Sequence, residues 1–370
     1  MAGVFVVGGG VIGLSIAWRA AQHGFDVTVA DPDPGHGASH AAAGMLTPVS
    51  EAAYTEKELF GLGAASLERY PAFAAELTAA TGLPTGFRLT GTLQVGYDHD
   101  DLAVIDELRM LQDSLGVPSQ RLTGRECRRL EPMLDPSVRG GLLAEADGSV
   151  DPRQLTRALL AALDRAGVQL ARQPVTRIDG RTARLADGTV AEADWVVVAA
   201  GWNSATIDGL PAGVPVRPVK GQVLRLRGPG GFLSRSVRGV VRGSSVYLVP
   251  RENGELVVGA TQEELGDSRV TAGGLWELLR DARALVPGLT ELEFIEAVAR
   301  LRPGTPDNGP ILGPGPMDGT ADGLVLATGH FRNGVLLTPV TADAIVGYLE
   351  TGKLPGVAAH FTIERFGGPA

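Results

Sequence analysis

The sequence predicts a mixed α/β (α+β) fold in two parts. One part is a parallel-sheet domain assembled from the start, middle and end of the chain. The other is a smaller antiparallel-sheet domain. Three observations predict this. A strand, a glycine-rich turn, a helix and a second strand follow one another within the first 31 residues. Continuous apolar runs of the kind that make buried parallel strands return at 195–200 and 324–327. Alternating patterns at 222–227, 246–250 and 256–260 interrupt them and read as antiparallel strands.

The opening unit is the most specific of the three. Val4-Phe5-Val6-Val7 runs into Gly8-Gly9-Gly10-Val11-Ile12-Gly13, a helix pattern covers 14–23, and Val27-Thr28-Val29-Ala30 leads to Asp31. In such a turn Gly8 permits the tight bend, Gly10 lets the backbone approach a pyrophosphate, and Gly13 lets helix and strand pack closely. Unpaired N–H groups at the helix start face the anion. Asp31, at the tip of the second strand, accepts the ribose hydroxyls of an adenosine. The unit predicts a Rossmann-type domain that binds an adenine dinucleotide.

The remaining elements follow in order. Residues 32–50 read as a loop rich in Gly, Ala and Ser. Leu59, Leu67 and Leu77 mark a helix that Pro84 ends, 91–97 reads as a strand and 100–115 as a helix. Asp151 and Pro152 supply a cap and a first-turn proline for a helix running to 166. Strands follow at 168–170 and 175–178, a hairpin turns at Asp187-Gly188, and Trp195-Val196-Val197-Val198 ends in Ala199-Ala200-Gly201. After the alternating strands come a helix at 273–286, a strand at 294–301, a strand at 324–328 entering Gly329, and a last helix at 338–349. The implied division is 1–85, 145–220 and 300–370 for the nucleotide domain, with 86–144 and 221–299 forming the second.

Bulk properties narrow the function. At 370 residues the chain is long enough for two domains. A net charge of -9 argues against nucleic-acid binding and against stable association with anionic membranes. No apolar run is long enough to span a bilayer, and no secretory signal pattern opens the chain, so the expected location is cytoplasmic. The six histidines lack metal-ligand spacing, and no metal is expected. The single cysteine, Cys127, excludes an internal disulfide.

The glycine turn serves NAD and FAD alike. Three later segments favour FAD. In Ser39-His40-Ala41-Ala42-Ala43-Gly44-Met45-Leu46, small residues let backbone pass close to a flat ring. Ala199-Ala200-Gly201-Trp202-Asn203-Ser204 is a strand end returning to the nucleotide. Gly329-His330-Phe331-Arg332-Asn333-Gly334-Val335-Leu336-Leu337 is a turn feeding the last helix, with N–H groups suited to a flavin's pyrimidine edge. Pro218-Val219-Lys220-Gly221-Gln222, Tyr247-Leu248-Val249-Pro250-Arg251, Val257-Val258-Gly259-Ala260-Thr261 and Leu301-Arg302-Pro303-Gly304-Thr305 lie among them. Together these segments resemble the D-amino acid oxidase-like flavoproteins over nearly the whole chain, and within them the glycine oxidase branch of thiamine-thiazole biosynthesis.

That resemblance implies an FAD-dependent oxidoreductase acting on glycine and on other small amines such as sarcosine or D-alanine. The imine formed would hydrolyse to glyoxylate and ammonia, with O2 reduced to H2O2. Relatives that bind flavin covalently use a late cysteine, which is absent here, so non-covalent FAD is expected. The implied cofactor contacts are Gly8, Gly10, Val11, Ile12, Gly13, Asp31, Ser39, Ala43, Gly44, Met45, Val175, Gly201, Gly329, His330, Phe331, Arg332, Asn333, Gly334, Val335 and Leu336.

An amino acid oxidase must hold a carboxylate and set the α-C–H against the flavin, so orientation supplies most of the catalysis. Arginine suits the task because its planar fork makes two parallel bonds. In Ala299-Arg300-Leu301-Arg302-Pro303 the alternation puts Arg300 and Arg302 on one strand face, and the residues alone name either. The resemblance selects Arg302 and adds Tyr247, which the strand pattern alone reads as a sheet aromatic. It places Arg332 at the site's edge. Gln262 follows Gly259-Ala260-Thr261 where the glycine oxidase pattern has methionine, which leaves substrate range open at that wall.

Two other readings stay open on the sequence. One keeps the fold as a D-amino acid dehydrogenase passing electrons to a quinone, or as a sarcosine oxidase-like enzyme. The other is a non-catalytic FAD-binding subunit. The expected partners are a small amino acid, O2, further copies in a homo-oligomer and a thiazole synthase that takes the product.

Overall fold

In the computed structural model, which describes residues 1–117, 119–210, 214–315 and 322–367, the opening unit sits in the middle of a six-stranded sheet. Strand Gly3–Val7 pairs in parallel with Asp26–Ala30 on one side and Trp195–Val198 on the other. Gln169–Ala171 and Leu324–Thr328 extend the sheet in parallel, and Ile311–Pro314 closes one edge antiparallel. Alternate residues of Gly3–Val7 face opposite ways. Val4 and Val6 pack into a core shared with helices Val11–Gln22, Lys57–Thr81, Pro152–Arg165 and Thr338–Thr351, through Leu14, Leu62, Leu155 and Ile345. Phe5 and Val7 face Ile178, Ala183 and Leu185 of a three-stranded antiparallel sheet.

The second sheet has eight strands, in the spatial order Glu293–Gly304, Arg217–Arg227, Glu255–Gly259, Ser244–Pro250, Ser236–Val241, Thr92–Gly96, Gly140–Ala144 and Gln120–Thr123. It is antiparallel except where Ser236–Val241 meets Thr92–Gly96 in parallel. One face packs Leu224, Leu248 and Val258 against Leu278, Ala282 and Leu285 of helix Ala272–Leu285. The other face presents Val223, Val249, Val257 and Val298 to Ala41 and Ala43, with Met45, Tyr247 and Ala260 beside them. The candidate site forms at this second contact. Strands Arg217–Arg227 and Glu293–Gly304 pair along their lengths and run across the expected boundaries at 220/221 and 299/300, so a two-stranded ribbon joins the two parts.

Local chemistry explains several element ends. Asp151 caps helix Pro152–Arg165 by accepting from the Arg153 and Gln154 N–H groups. Asp98 and Asp101 form a capping box for helix His99–Ser114. The helix expected to end at Pro84 runs through Pro71 and stops at Gly82, whose φ of 72° suits a residue without a side chain. The expected loop 32–50 contains a short helix, Ala38–Ala41, and a strand, Met45–Leu46, that pairs with Gly148–Ser149. Ser236–Val241, Gly140–Ala144 and Gln120–Thr123 carry weak local strand signals, and pairing with neighbours decides their state. Among the described residues no helix is long and apolar enough to cross a membrane, and no group of three or more His, Cys, Asp or Glu is placed to hold a metal.

Candidate active site

A cavity of about 780 Å³ runs from the glycine turn to the face of the eight-stranded sheet. Ligand clefts usually measure about 300–1,000 Å³. At its nucleotide end Gly8 has a φ of 112°, and a Cβ at Gly13 would overlap the Gly8 carbonyl oxygen. The Gly9 N–H donates to Asp31 Oδ2 at 2.7 Å, which fixes the acid beside the turn. Ser39 Oγ accepts from the Val11 N–H at 3.1 Å. Helix Val11–Gln22 has no acidic residue in its first turn, and Gly10 offers no capping side chain. Apart from the Val11 N–H, its positive end has no side-chain partner among the described residues and suits an external anion.

The middle of the cavity is backbone held tightly in place. Gly44 has a φ of 73°, and a Cβ there would overlap the Val150 carbonyl oxygen. The Val150 N–H donates to the Gly44 carbonyl at 2.8 Å. Buried Arg251 donates to the Val150 carbonyl at 3.0 Å and also to the Ala43 carbonyl. Burial lowers the Arg251 pKa to about 10, so it stays cationic at neutral pH. Across from this segment, burial lowers the His330 pKa to about 3, and its Nε2 lies 3.0 Å from Thr341 Oγ1. His330 is therefore neutral at physiological pH. Phe331 takes a φ of 44°, rare for an aromatic residue, and its N–H donates to the Pro303 carbonyl at 3.0 Å. That bond ties the 329–337 turn to the strand carrying Arg302.

The far end holds the carboxylate candidates. The Arg302 guanidinium lies over Gly221, where a Cβ would overlap it. Arg302 Nη1 donates to the Thr261 carbonyl at 3.1 Å. Among the described residues its Nη2 and Nε make no hydrogen bond, so two donors remain for a ligand. Gly259 plays the same part for Tyr247, since a Cβ there would meet the phenol oxygen. Desolvation raises the Tyr247 pKa, while the nearby Arg302 charge acts the other way; the phenol stays protonated and can donate. Arg300 also lines the cavity, but its Nε donates to the His36 carbonyl at 2.9 Å and its Nη1 to the Ala299 carbonyl. Arg332 lines the cavity with its guanidinium paired to Glu56 at 2.8 Å, and Gln262 lies next to Thr261 on the wall.

The cavity brings together Gly8, Gly10, Val11, Ile12, Asp31, Ser39, Ala43, Gly44, Met45, Gly201, Gly329, His330, Phe331, Arg332, Gly334 and Val335 with Tyr247, Gln262 and Arg302. Gly13, Val175, Asn333 and Leu336 are not part of its lining. Gly13 packs beneath the turn, and Val175 lies in the three-stranded sheet. Asn333 and Leu336 line a separate small pocket beside Leu59 and Gly63.

Sequence reasoning missed Gln94, Arg238 and Glu51. Register pairs Gln94 with Arg238 and Arg238 with Tyr247, so three strands present one polar row to the cavity. Arg238 Nη1 pairs with Glu51 Oε1 at 2.5 Å. The only sequence signal would have been the order of the strands, which local patterns do not contain.

The family described as FAD dependent oxidoreductase (DAO) matches residues 3–347. The chain is 33% identical over 371 residues to a protein named Glycine oxidase from Geobacillus kaustophilus, covering 98% of this chain and 96% of that one. It is 36% identical over 372 residues to a "Bifunctional protein ThiO/ThiG" from Synechocystis sp., covering 98% of this chain and 54% of that protein. The chain thus spans about half the length of such bifunctional relatives. The crystal structure of glycine oxidase from Geobacillus kaustophilus superposes with a TM-score of 0.90 at 32% identity, covering 100% of both chains.

Proposed function

Because the chain belongs to the DAO family of FAD-dependent oxidoreductases, we propose that it oxidises glycine, and with it small amines such as sarcosine or D-alanine, using O2 as acceptor. The observation that carries this reading is Arg302, seated on Gly221 with two donors unspent and its charge acting on the Tyr247 phenol. That arrangement suits one carboxylate: two charge-assisted bonds from Arg302 and one from Tyr247.

The residues at the other end of the cavity fit FAD. Gly8, Gly10 and the start of helix Val11–Gln22 would take the pyrophosphate, Asp31 the ribose, and the segments at 41–45 and 329–335 the ring system. FAD, when bound, supplies the acceptor for two electrons. The protein's part is orientation. Arg302 and Tyr247 fix the carboxylate, and Gly44, Arg251 and the 329–335 turn hold the walls that set the α-carbon's position. His330 is too weakly basic to take a proton from the substrate at neutral pH. Overall, glycine, O2 and water would give glyoxylate, ammonia and H2O2.

The same reading assigns 1–85, 145–220 and 300–370 to the FAD domain and 86–144 with 221–299 to the substrate domain. It places the enzyme in the cytoplasm, as a homo-oligomer whose imine product passes to a thiazole synthase. The ThiO/ThiG relatives support that last link by joining two named activities in one chain.

An H2O2-coupled screen under air, over glycine, sarcosine, N-ethylglycine and D-amino acids, tests the activity. Turnover of glycine is expected; no H2O2 from any of them would reject the reading. The FAD is expected to be non-covalent. Acid precipitation should leave the yellow colour in the supernatant, and colour retained in the protein pellet would contradict it.

A further inference from the structure

We propose that Glu51 masks Arg238, and that this pair limits the substrate cavity to ligands with one carboxylate. The inference rests on the cavity being the amino acid site.

Among the described residues four arginines line the cavity: Arg238, Arg300, Arg302 and Arg332. Arg300 donates through Nε and Nη1 to backbone carbonyls, and Arg332 is paired with Glu56. Arg238 stands beside Tyr247 in the strand register, on the far side from Arg302's seat on Gly221. Its Nη1 lies 2.5 Å from Glu51 Oε1 and 3.8 Å from Met45 Sδ. Among the described residues its Nη2 and Nε make no hydrogen bond. Both partners are well covered, with side chains 22% and 17% exposed. Among the described residues Glu51 is the one acid on the cavity wall apart from Asp31 at the nucleotide end. Its segment is anchored from below: Asp147 accepts from the Val49 and Ser50 N–H groups and from the Ser50 hydroxyl.

Paired, Glu51 and Arg238 present no net charge. A second ligand carboxylate reaching this end meets the Glu51 carboxylate, and like charges in a poorly solvated site repel. With the Glu51 charge removed, Arg238 keeps its position in the sheet and carries a positive charge that no neighbouring carboxylate compensates, with Nη2 and Nε free to donate. The cavity then holds two carboxylate receptors, Arg302 and Arg238, on either side of Tyr247.

The test uses FAD-loaded wild type, Glu51→Gln and Glu51→Gln/Arg238→Met. Calorimetry measures the affinity for malonate, succinate and glutarate against acetate. Glu51→Gln should improve the affinity of at least one dicarboxylate relative to acetate by about tenfold. Adding Arg238→Met should abolish that gain. Iminodiacetate should rise against glycine in kcat/KM in the same variant. An unchanged ratio for all three diacids, or a gain that survives Arg238→Met, overturns the proposal. Wild type provides a check independent of how the variants fold: it should bind each diacid no more tightly than acetate, and tighter binding would also overturn it. Because calorimetry needs no turnover, the two readings can fail separately. Failure of glycine oxidation with the diacid gain intact rejects only the proposed activity, and glycine oxidation without the gain rejects only the mask.

Discussion

Replacing Arg302 with alanine should raise KM for glycine by at least about tenfold, because losing a charge-assisted pair to a carboxylate costs about 1.5–3 kcal/mol. The geometry explains why neighbours do not compensate. Arg300 is committed to the His36 carbonyl, Arg332 is held by Glu56, and Arg238 is paired with Glu51. Tyr247 alone offers one neutral donor. Lysine at 302 should recover only part of the loss, since an ammonium does not reproduce the planar fork. Steady-state kinetics over a glycine series reads the effect, and an unchanged KM would remove Arg302 from the clamp. Gly221 gives an independent handle. A Cβ there would overlap the guanidinium, so Gly221→Ala should move KM in the same direction with Arg302 still present.

Replacing Gly13 with alanine should strip the enzyme of its flavin. The added Cβ would overlap the Gly8 carbonyl oxygen, a backbone atom that cannot swing aside as a flexible side chain could. Either the turn or the helix start must move, at a cost of about 1–3 kcal/mol. The N–H groups that would meet the pyrophosphate move with them, and FAD affinity should fall by about tenfold or more. The ratio of flavin to protein absorbance after purification measures this. Gly61 provides the contrast: it lies within helix Lys57–Thr81 and a Cβ there meets nothing within 4 Å, so Gly61→Ala should keep its flavin. A Gly13→Ala protein that retains full flavin would show that close packing at this turn is not needed for binding.

These two effects arise at the ends of the cavity, and the ends differ in how they could be read. The nucleotide end was legible because its chemistry is local. The turn, the following helix and Asp31 lie within one short stretch, and Gly13 answers to Gly8 five residues before it, although Gly8 itself packs against the distant Ala199 carbonyl. Helix Pro152–Arg165 was legible for the same reason, through its Asp151 cap. The substrate end is assembled across strands. Gln94, Arg238 and Tyr247 become one row only through pairing of segments well over 100 residues apart in the first case. Arg238 sits in Ser236–Val241, where Ser236 and Gly239 weaken the local strand pattern. Glu51 sits in a loop and gains meaning only from Arg238. Arg300 and Arg302 share a strand face, and only their partners tell them apart. Gly221 and Gly259 look like ordinary strand glycines; their value as seats for Arg302 and Tyr247 appears once the side chains are in place.

The central claim is that a small amino acid, held by its carboxylate between Arg302 and Tyr247, is oxidised at the FAD. Anaerobic mixing of the FAD-loaded protein with glycine tests it most directly, because it separates oxidation of the substrate from the choice of final acceptor. The visible flavin band should bleach with glycine and stay intact with methylamine, which has the amine but no carboxylate. Bleaching by methylamine as readily as by glycine, or no bleaching by glycine, sarcosine or D-alanine, would contradict the account.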